Sequence, residues 1–328
     1  MNIVHKPVLL KEVIEYLDPK PGDKIIDATL DGGGHSAAIL EKVGPDGKVL
    51  GIEIDSELVS AAKLKIKNEK LKNLIVVNDS YTNIENIVRE HNFRPNGILF
   101  DLGLSSWHYE RSGRGFSFKR DEPLDMRYNP ARPGNPKPEI RNPKQIPNLK
   151  SESSKQTLTA AEVVNTYSKE ELEKIFREYG EEQFSKQIAE NIISARRREP
   201  ILTTSGLVEV IGESVPHWYK KKKIHFATKT FQALRIEVNS ELENVEKGVS
   251  AAINVLEPAC PEQGRRGGRL VVISFHGIED KIVRELFKKK AKEGVVKWVI
   301  KGTIKPKWEE VKNNPRARSA KMKIVEKI

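Results

Sequence analysis

An apolar run that closes on a carboxylate, Ile25-Ile26-Asp27, leads through Ala28-Thr29-Leu30-Asp31 into Gly32-Gly33-Gly34 and then His35-Ser36. Residues of these types in this order hold a nucleotide-bearing cofactor. Glycines without a Cβ let a ligand approach the backbone, and the free N–H groups at a following helix start favour polar or anionic ligand groups. The spacing Gly32-x-Gly34-x-x-Ala37 fits the dinucleotide fingerprint, and Glu53 closes the next apolar run, Val49-Leu50-Gly51-Ile52, roughly twenty residues on. A carboxylate at that place takes a ribose diol. NAD and S-adenosylmethionine both present one, so the motif leaves the two open, beside an ordinary glycine turn that binds nothing.

Such groups must be carried to the ends of neighbouring strands. Short apolar runs predict strands over 24–28, 49–54, 74–78 and 97–102, alternating with helices over 8–17, 35–43, 56–66 and 81–91. Alternation of this kind builds a parallel sheet with right-handed crossovers. After Leu102 it stops. The stretch 129–157 has no periodic apolar face, holds six of the 18 prolines between Asn129 and Pro147, and is expected to be a mobile loop. Helices follow: Thr159-Ala160-Ala161-Glu162 and Ser168-Lys169-Glu170-Glu171 match the capping box, and 182–198 continues the pattern. Apolar positions from Phe231 through Leu234, Val238, Leu242, Val245 and Val249 to Leu256 predict one long helix. A buried-strand pattern returns at 270–275, then a helix over 278–287 and a short strand over 295–300. The expected architecture is α/β, a Rossmann-like sheet in two parts, 1–106 and 216–328, with a helical insertion at 107–215.

With 328 residues the chain is long enough for two domains or one with an insertion. Its 57 Lys+Arg against 46 Asp+Glu give a net charge of +11, which attracts polyanions. A single cysteine, Cys260, excludes an intrachain disulfide and makes a cysteine-based metal cluster implausible, as fits a reducing compartment. No metal site is expected. Neither a signal-peptide stretch nor a long apolar run is present, so a cytoplasmic protein with no membrane partner is expected, its oligomeric state left open.

Longer strings extend the reading. They include Lys6-Pro7-Val8-Leu9-Leu10, Asp101-Leu102-Gly103-Leu104-Ser105-Ser106, Arg114-Gly115-Phe116-Ser117-Phe118 and Pro123-Leu124-Asp125-Met126-Arg127. Further along stand Tyr179-Gly180-Glu181-Glu182, Thr230-Phe231-Gln232-Ala233-Leu234-Arg235-Ile236, Ile273-Ser274-Phe275-His276 and Asn314-Pro315-Arg316-Ala317-Arg318-Ser319. In these, over nearly its whole length, the chain resembles the bacterial small-subunit (16S) ribosomal RNA cytosine-N4 methyltransferases, the RsmH or MraW family. The resemblance implies a methyltransferase sheet interrupted by a helical substrate-recognition domain, S-adenosyl-L-methionine as methyl donor, and 16S rRNA in the small ribosomal subunit as partner. By matching position it implies that Gly33, Gly34 and His35 line the methionine part, that Glu53 takes the ribose hydroxyls, and that Tyr81 packs on the adenine. Asp101 and His108 would complete the pocket. The chain departs from the family pattern at Asp31 (usually glycine), Tyr81 (frequently phenylalanine), Glu53 (commonly aspartate) and Trp107-His108 (often Pro-Gln).

An exocyclic cytosine amine is a poor nucleophile, since its lone pair is delocalised into the ring. An enzyme must hold it in line with the methyl and accept a hydrogen bond from its N–H. Asp101, at the end of the fourth strand, is the candidate acceptor, with Ser105 and Ser106 secondary. RNA contacts are expected from Arg196, Arg197, Arg198, Lys220, Lys221, Lys222, Lys223, Arg235, the stretch 288–290, and Arg316 and Arg318 within the basic run 316–323. Trp107, Tyr109, Phe116, Phe118 and Trp218 are possible stacking surfaces. A cytosine in folded RNA would have to be turned out of its stack to reach the methyl. An NAD-dependent oxidoreductase explains the glycine loop but not the charge or the insertion. A non-catalytic rRNA-binding assembly factor explains the charge but not the loop.

Overall fold

The computed structural model describes residues 6–69, 71–130 and 158–328; residues 131–157 of the expected loop lie outside them. The chain divides into two compact units, one formed by residues 1–105 with 242–328 and the other by 106–241.

The first unit is built on a seven-stranded sheet in the order β3-β2-β1-β4-β5-β7-β6. The strands are β1 (Lys24–Asp27), β2 (Lys48–Glu53), β3 (Leu74–Asn78), β4 (Gly97–Asp101), β5 (Arg269–Ser274), β6 (Val296–Trp298) and β7 (Lys321–Lys327). The first five are parallel, while β7 runs antiparallel to both β5 and β6. Their near-continuous apolar runs follow from burial on both faces. Ile25, Val49, Leu99 and Val271 pack against α1 (Leu10–Leu17) and α2 (Gly34–Val43) through Val13, Leu17, Ile39 and Val43. Ile26, Leu50, Phe100 and Val272 pack against α4 (Ile84–Glu90), α12 (Glu241–Val255) and α13 (Gly277–Lys292) through Ile84, Val249 and Phe287. Helix α3 (Ser56–Glu69) follows β2 and packs on β2 and β3; the short α14 (Trp308–Asn313) precedes β7. Because β1 lies between β2 and β4, the strand order turns there, and an open α/β sheet leaves its ligand crevice at that turn, beyond the carboxyl ends of the strands.

The second unit is helical: α5 (Ser106–Glu110), α6 (Ala160–Thr166), α7 (Lys169–Glu178), α8 (Ser185–Arg196), α9 (Thr204–Ser214), α10 (His217–Lys220) and α11 (Thr228–Asn239). Both expected capping boxes form, Thr159 with Glu162 and Ser168 with Glu171, each satisfying two backbone donors at a helix start.

The structure corrects three expectations. The single helix from Phe231 to Leu256 is two: Ser240 takes a left-handed φ of 48° and separates α11 from α12. The apolar spacing runs through the break because both helices bury a face, so periodicity alone could not see it. The helical unit accordingly continues to Glu241 instead of stopping at 215, since α11 packs on α6 and α7. Finally, residues 321–323, expected within the basic run 316–323, open the buried strand β7, Lys321–Lys327. Among the described residues no helix is long and apolar enough to cross a membrane.

Candidate functional site

Three adjacent strands of the sheet unit end in carboxylates, Asp27 on β1, Glu53 on β2 and Asp101 on β4, and all three side chains are buried. Between Asp27 and α2 the chain makes a tight turn. Gly33 sits at φ 71°, a left-handed conformation that glycine adopts without strain, and its N–H donates to the Leu30 carbonyl at 2.7 Å. Asp31 is also left-handed, at φ 46°, which aspartate tolerates better than most residues. The turn is tied to its neighbours: Asp31 N–H donates to Glu53 Oε2 at 3.0 Å, and Thr29 Oγ1 accepts the Asp101 N–H at 2.7 Å. Gly34 and His35 form the first turn of α2, where backbone N–H groups have no partner within the helix.

Each carboxylate is held by a few donors and crowded by others of its kind. Ser36 Oγ donates to Asp27 Oδ2 at 2.7 Å; Glu53 also accepts the Asp55 N–H at 2.8 Å. Burial pushes Asp27 up to about 6 against the pull of His35, Ser36 and Thr29. Burial likewise raises Glu53 to about 7, despite the two N–H groups it accepts. Asp101 reaches about 7, through burial and the charge of Glu279. Asp31 is raised well above the usual carboxylate range by burial and by Glu53 and Asp101. His35 goes the other way, its charged form disfavoured by burial. Among the described residues no lysine or arginine pairs with Asp27, Asp31, Glu53 or Asp101. Burial without a cationic partner among the described residues is what keeps these carboxyls above their ordinary range.

S-adenosyl-L-methionine fits this donor set. It presents a sulfonium and an ammonium, two cations that this group of carboxylates would stabilise, and Asp101 Oδ1 is buried with no hydrogen-bond partner among the described residues, an acceptor open to a ligand's donor. Glu53 keeps lone pairs beyond the two N–H groups it accepts and is placed to take a ribose diol. The pyrophosphate of NAD would meet four carboxylates that pair with no lysine or arginine among the described residues.

The sheet unit thus brings together Gly33, Gly34, His35, Glu53 and Asp101. Tyr81, in a short 3-10 turn after β3, packs edge-on against Phe100 with ring centroids 5.3 Å apart. Ser105 is buried just beyond β4, and Ser106 opens α5 of the helical unit. His108, in the same short helix, is buried among the rings of Trp107, Phe116 and Tyr128. His276 caps α13: Glu279 N–H meets its Nδ1 at 3.4 Å. Asp27, Asp31 and Glu279 were not among the expected site residues. Asp27 and Asp31 were legible as acids flanking the turn, whereas Glu279 lies far along the chain and only the β4–β5 pairing brings it near Asp101.

Of the expected RNA contacts, Lys220, Lys221, Lys222, Lys223, Arg197, Arg198, Arg316 and Arg318 are exposed. Arg235 is not free to meet RNA: it is mostly buried in a two-pronged pair with Glu241, at 2.7 and 2.8 Å. Arg196 is half-buried, donating to the carbonyls of Val164 and Tyr167 at the end of α6. Lys323 is buried and ion-paired with Asp280.

A model of the MraW methylase family matches residues 2–142 and 151–328 of this chain. Over 326 residues the chain is 41% identical to a ribosomal RNA small subunit methyltransferase H of Dictyoglomus thermophilum, covering 99% of this chain and 97% of that one. A protein of the same name from Thermosipho melanesiensis is 41% identical over 329 residues, with 100% and 99% covered. One from Halothermothrix orenii is 38% identical over 340 residues, with 99% and 98% covered.

Proposed function

The chain belongs to the MraW methylase family, and on that premise we propose that it methylates the exocyclic N4 of a cytidine in the decoding region of 16S rRNA, within the small ribosomal subunit. Its methyl donor is S-adenosyl-L-methionine, which supplies when bound an electrophilic methyl on a sulfonium. The helical unit, residues 106–241, is the part that recognises the RNA. The relatives' names carry the ribosomal RNA substrate; the choice of N4 rests on the family resemblance and on the chemistry below.

Asp101 carries the mechanism. Its Oδ1 is buried and without a hydrogen-bond partner among the described residues, at the turn in strand order where an open sheet leaves its crevice. An amine N–H donating to that oxygen is held with its nitrogen lone pair turned toward the methyl, which supplies orientation and removes the competing hydrogen bond to water. Once the amine nitrogen has taken the methyl, its surplus proton would pass to Asp101. The Asp101 carboxylate accepts that proton and returns it to solvent. Glu53 and the Gly33–His35 turn would hold the donor, and Ser105 and Ser106 follow the acceptor along the chain.

Purified protein incubated with labelled S-adenosyl-L-methionine and small ribosomal subunits, followed by digestion of the RNA and separation of nucleosides, tests this. N4-methylcytidine is expected, and Asp101→Asn should lose its formation while the protein still melts cooperatively. Recovery of 5-methylcytidine, or full activity in Asp101→Asn, would overturn the assignment.

A further inference from the structure

On the helical unit, residues 215–226 contain no acidic side chain and put apolar surface beside positive charge. Trp218 is 56% exposed and Ile224 63% exposed, and between them Lys220, Lys221, Lys222 and Lys223 are all exposed. Exposed apolar surface rimmed by charge is the composition of an interaction site. This indole is fixed in place. Its ring meets Phe184 and Tyr219 edge to face, with centroids 6.0 and 5.8 Å away. Lys222 Nζ stands 4.9 Å from the indole centroid and 4.7 Å from that of Tyr219. Tyr219 is itself buried and anchored by its hydroxyl, which donates to Glu182 at 2.8 Å. At the far end of the segment His225 is sandwiched between Phe118 at 4.4 Å and Phe226 at 4.2 Å. Aromatic packing thus pins both ends of the lysine run, and an indole more than half exposed turns a ring surface to solvent.

We propose that this face binds unpaired RNA, a base stacking on the exposed surface of Trp218 while Lys220, Lys221 and Lys223 meet phosphates. The inference rests on the rRNA reading above and adds where and in what form the RNA is held. A preset ring loses little entropy on stacking, and every base has a π-face to offer. The Lys222 ammonium close to the ring adds positive potential. A phospholipid surface is the weaker fit: α10 spans only His217–Lys220, too short to lay an apolar face into lipid, and the tryptophan is clamped within the fold.

Binding is read by fluorescence anisotropy with a labelled single-stranded RNA and with the same strand in a duplex. Trp218→Ala should weaken single-strand binding about tenfold, leave duplex binding and the melting temperature nearly unchanged, and keep the salt dependence of the wild type. Lys221→Gln should instead lower the slope of log affinity against log salt by about one for both RNAs. Trp218→Phe should restore most of the single-strand affinity. With small subunits as substrate, Trp218→Ala should raise KM and spare kcat. If Trp218→Ala matches the wild type in single-strand affinity and KM, the stacking site is wrong while the proposed function stands. Wild-type binding to phosphatidylglycerol vesicles but not to single-stranded RNA would also overturn it. Trp218-dependent RNA binding by a protein that methylates no small subunit would support the surface and remove the proposed function instead.

Discussion

His35 Nδ1 lies 3.7 Å from Asp101 Oδ2, while the other ring nitrogen, Nε2, is 3.0 Å from the Val8 carbonyl. A carbonyl only accepts, so Nε2 carries the proton and a neutral ring turns its Nδ1 lone pair toward the carboxyl. Two acceptors facing each other repel unless a proton or a cation stands between them. Burial favours both conditions, disfavouring the imidazolium at His35 and raising Asp101 to about 7. Without cofactor the crevice therefore keeps a proton on its carboxyls near neutrality.

Cofactor binding should then be linked to proton release. Asp27, at about 6, and Asp101, at about 7, bind a cation only after losing their protons, so a cationic cofactor lowers both values and releases protons in that window. Affinity for S-adenosyl-L-methionine should rise as pH goes from below 6 to above 7 and then level off. The homocysteine product, lacking the sulfonium charge, should show a shallower rise. Calorimetry in buffers of different ionisation enthalpy counts the protons. The linkage also acts on the fold. The unfolded chain loses these protons near the ordinary carboxylate value and the folded chain only near 6 to 7, so the cluster's contribution to stability falls as pH rises through that range. Cofactor should restore it. A pH-independent affinity would show that the carboxylates do not face the cation.

Glu53 ends β2 and accepts the N–H groups of Asp31 and Asp55. If it also takes the ribose hydroxyls, Glu53→Ala removes charge-assisted hydrogen bonds worth about 1.5–3 kcal/mol, a loss of tenfold or more in affinity. Glu53→Gln keeps an acceptor and the shape and should lose less. Titration calorimetry reads both, with circular dichroism to show that the fold persists. Unchanged affinity in Glu53→Ala would remove this residue from the site.

The sheet core was legible because its strands are apolar on both faces and each is punctuated by a carboxylate or a glycine. The run Ile25–Asp27 and the turn after it already state where a ligand must sit. What hid was structure whose local signal pointed elsewhere. Lys321 and Lys323, within the run 316–323, read as a basic surface, yet β7 buries Lys323 by pairing it with Asp280 on α13, where the two lysines near it outweigh burial and hold that carboxylate below its ordinary value. Such a pair is visible only after the helix and strand have met. Arg235 misled in the same way, since its partner Glu241 lies past the break at Ser240, where a continuous helical pattern gave no reason to expect a turn. Neither change touches the crevice, which depends on strand ends and not on charge runs.

Gly248, on α12, lies against Tyr81: a Cβ built on it would come within 2.3 Å of the ring. Alanine is the better helix former by about 1 kcal/mol, but here the clash dominates, and overpacking of this kind costs about 1–3 kcal/mol. Gly248→Ala should therefore lower stability in urea unfolding and, by displacing Tyr81 from Phe100, weaken cofactor binding. Gly248→Ala combined with Tyr81→Ala should recover part of the lost stability. A stabilised single variant would mean that the ring gives way freely and does not define the adenine side of the crevice.

Cys260 separates two chemistries for cytosine. Methylation at C5 proceeds through a thiolate that adds to the ring, whereas methylation at N4 needs no covalent intermediate. The chain's one thiol is in a small hairpin, with Cys260 N–H donating to Arg265 O at 2.8 Å and Arg265 N–H returning to Cys260 O at 3.0 Å. That hairpin leads into Arg269 at the amino end of β5, which pairs with Gly97 at the amino end of β4; Asp101, at the carboxyl end of β4, pairs with Ile273. The thiol therefore lies toward the opposite edge of the sheet from the carboxylates. Cys260→Ala should retain methyl transfer to small ribosomal subunits at close to the wild-type rate, and alkylation of the thiol should slow it little. Loss of activity in a Cys260→Ala protein with an unchanged melting temperature would bring a nucleophilic thiol back and, with it, C5 as the site of methylation.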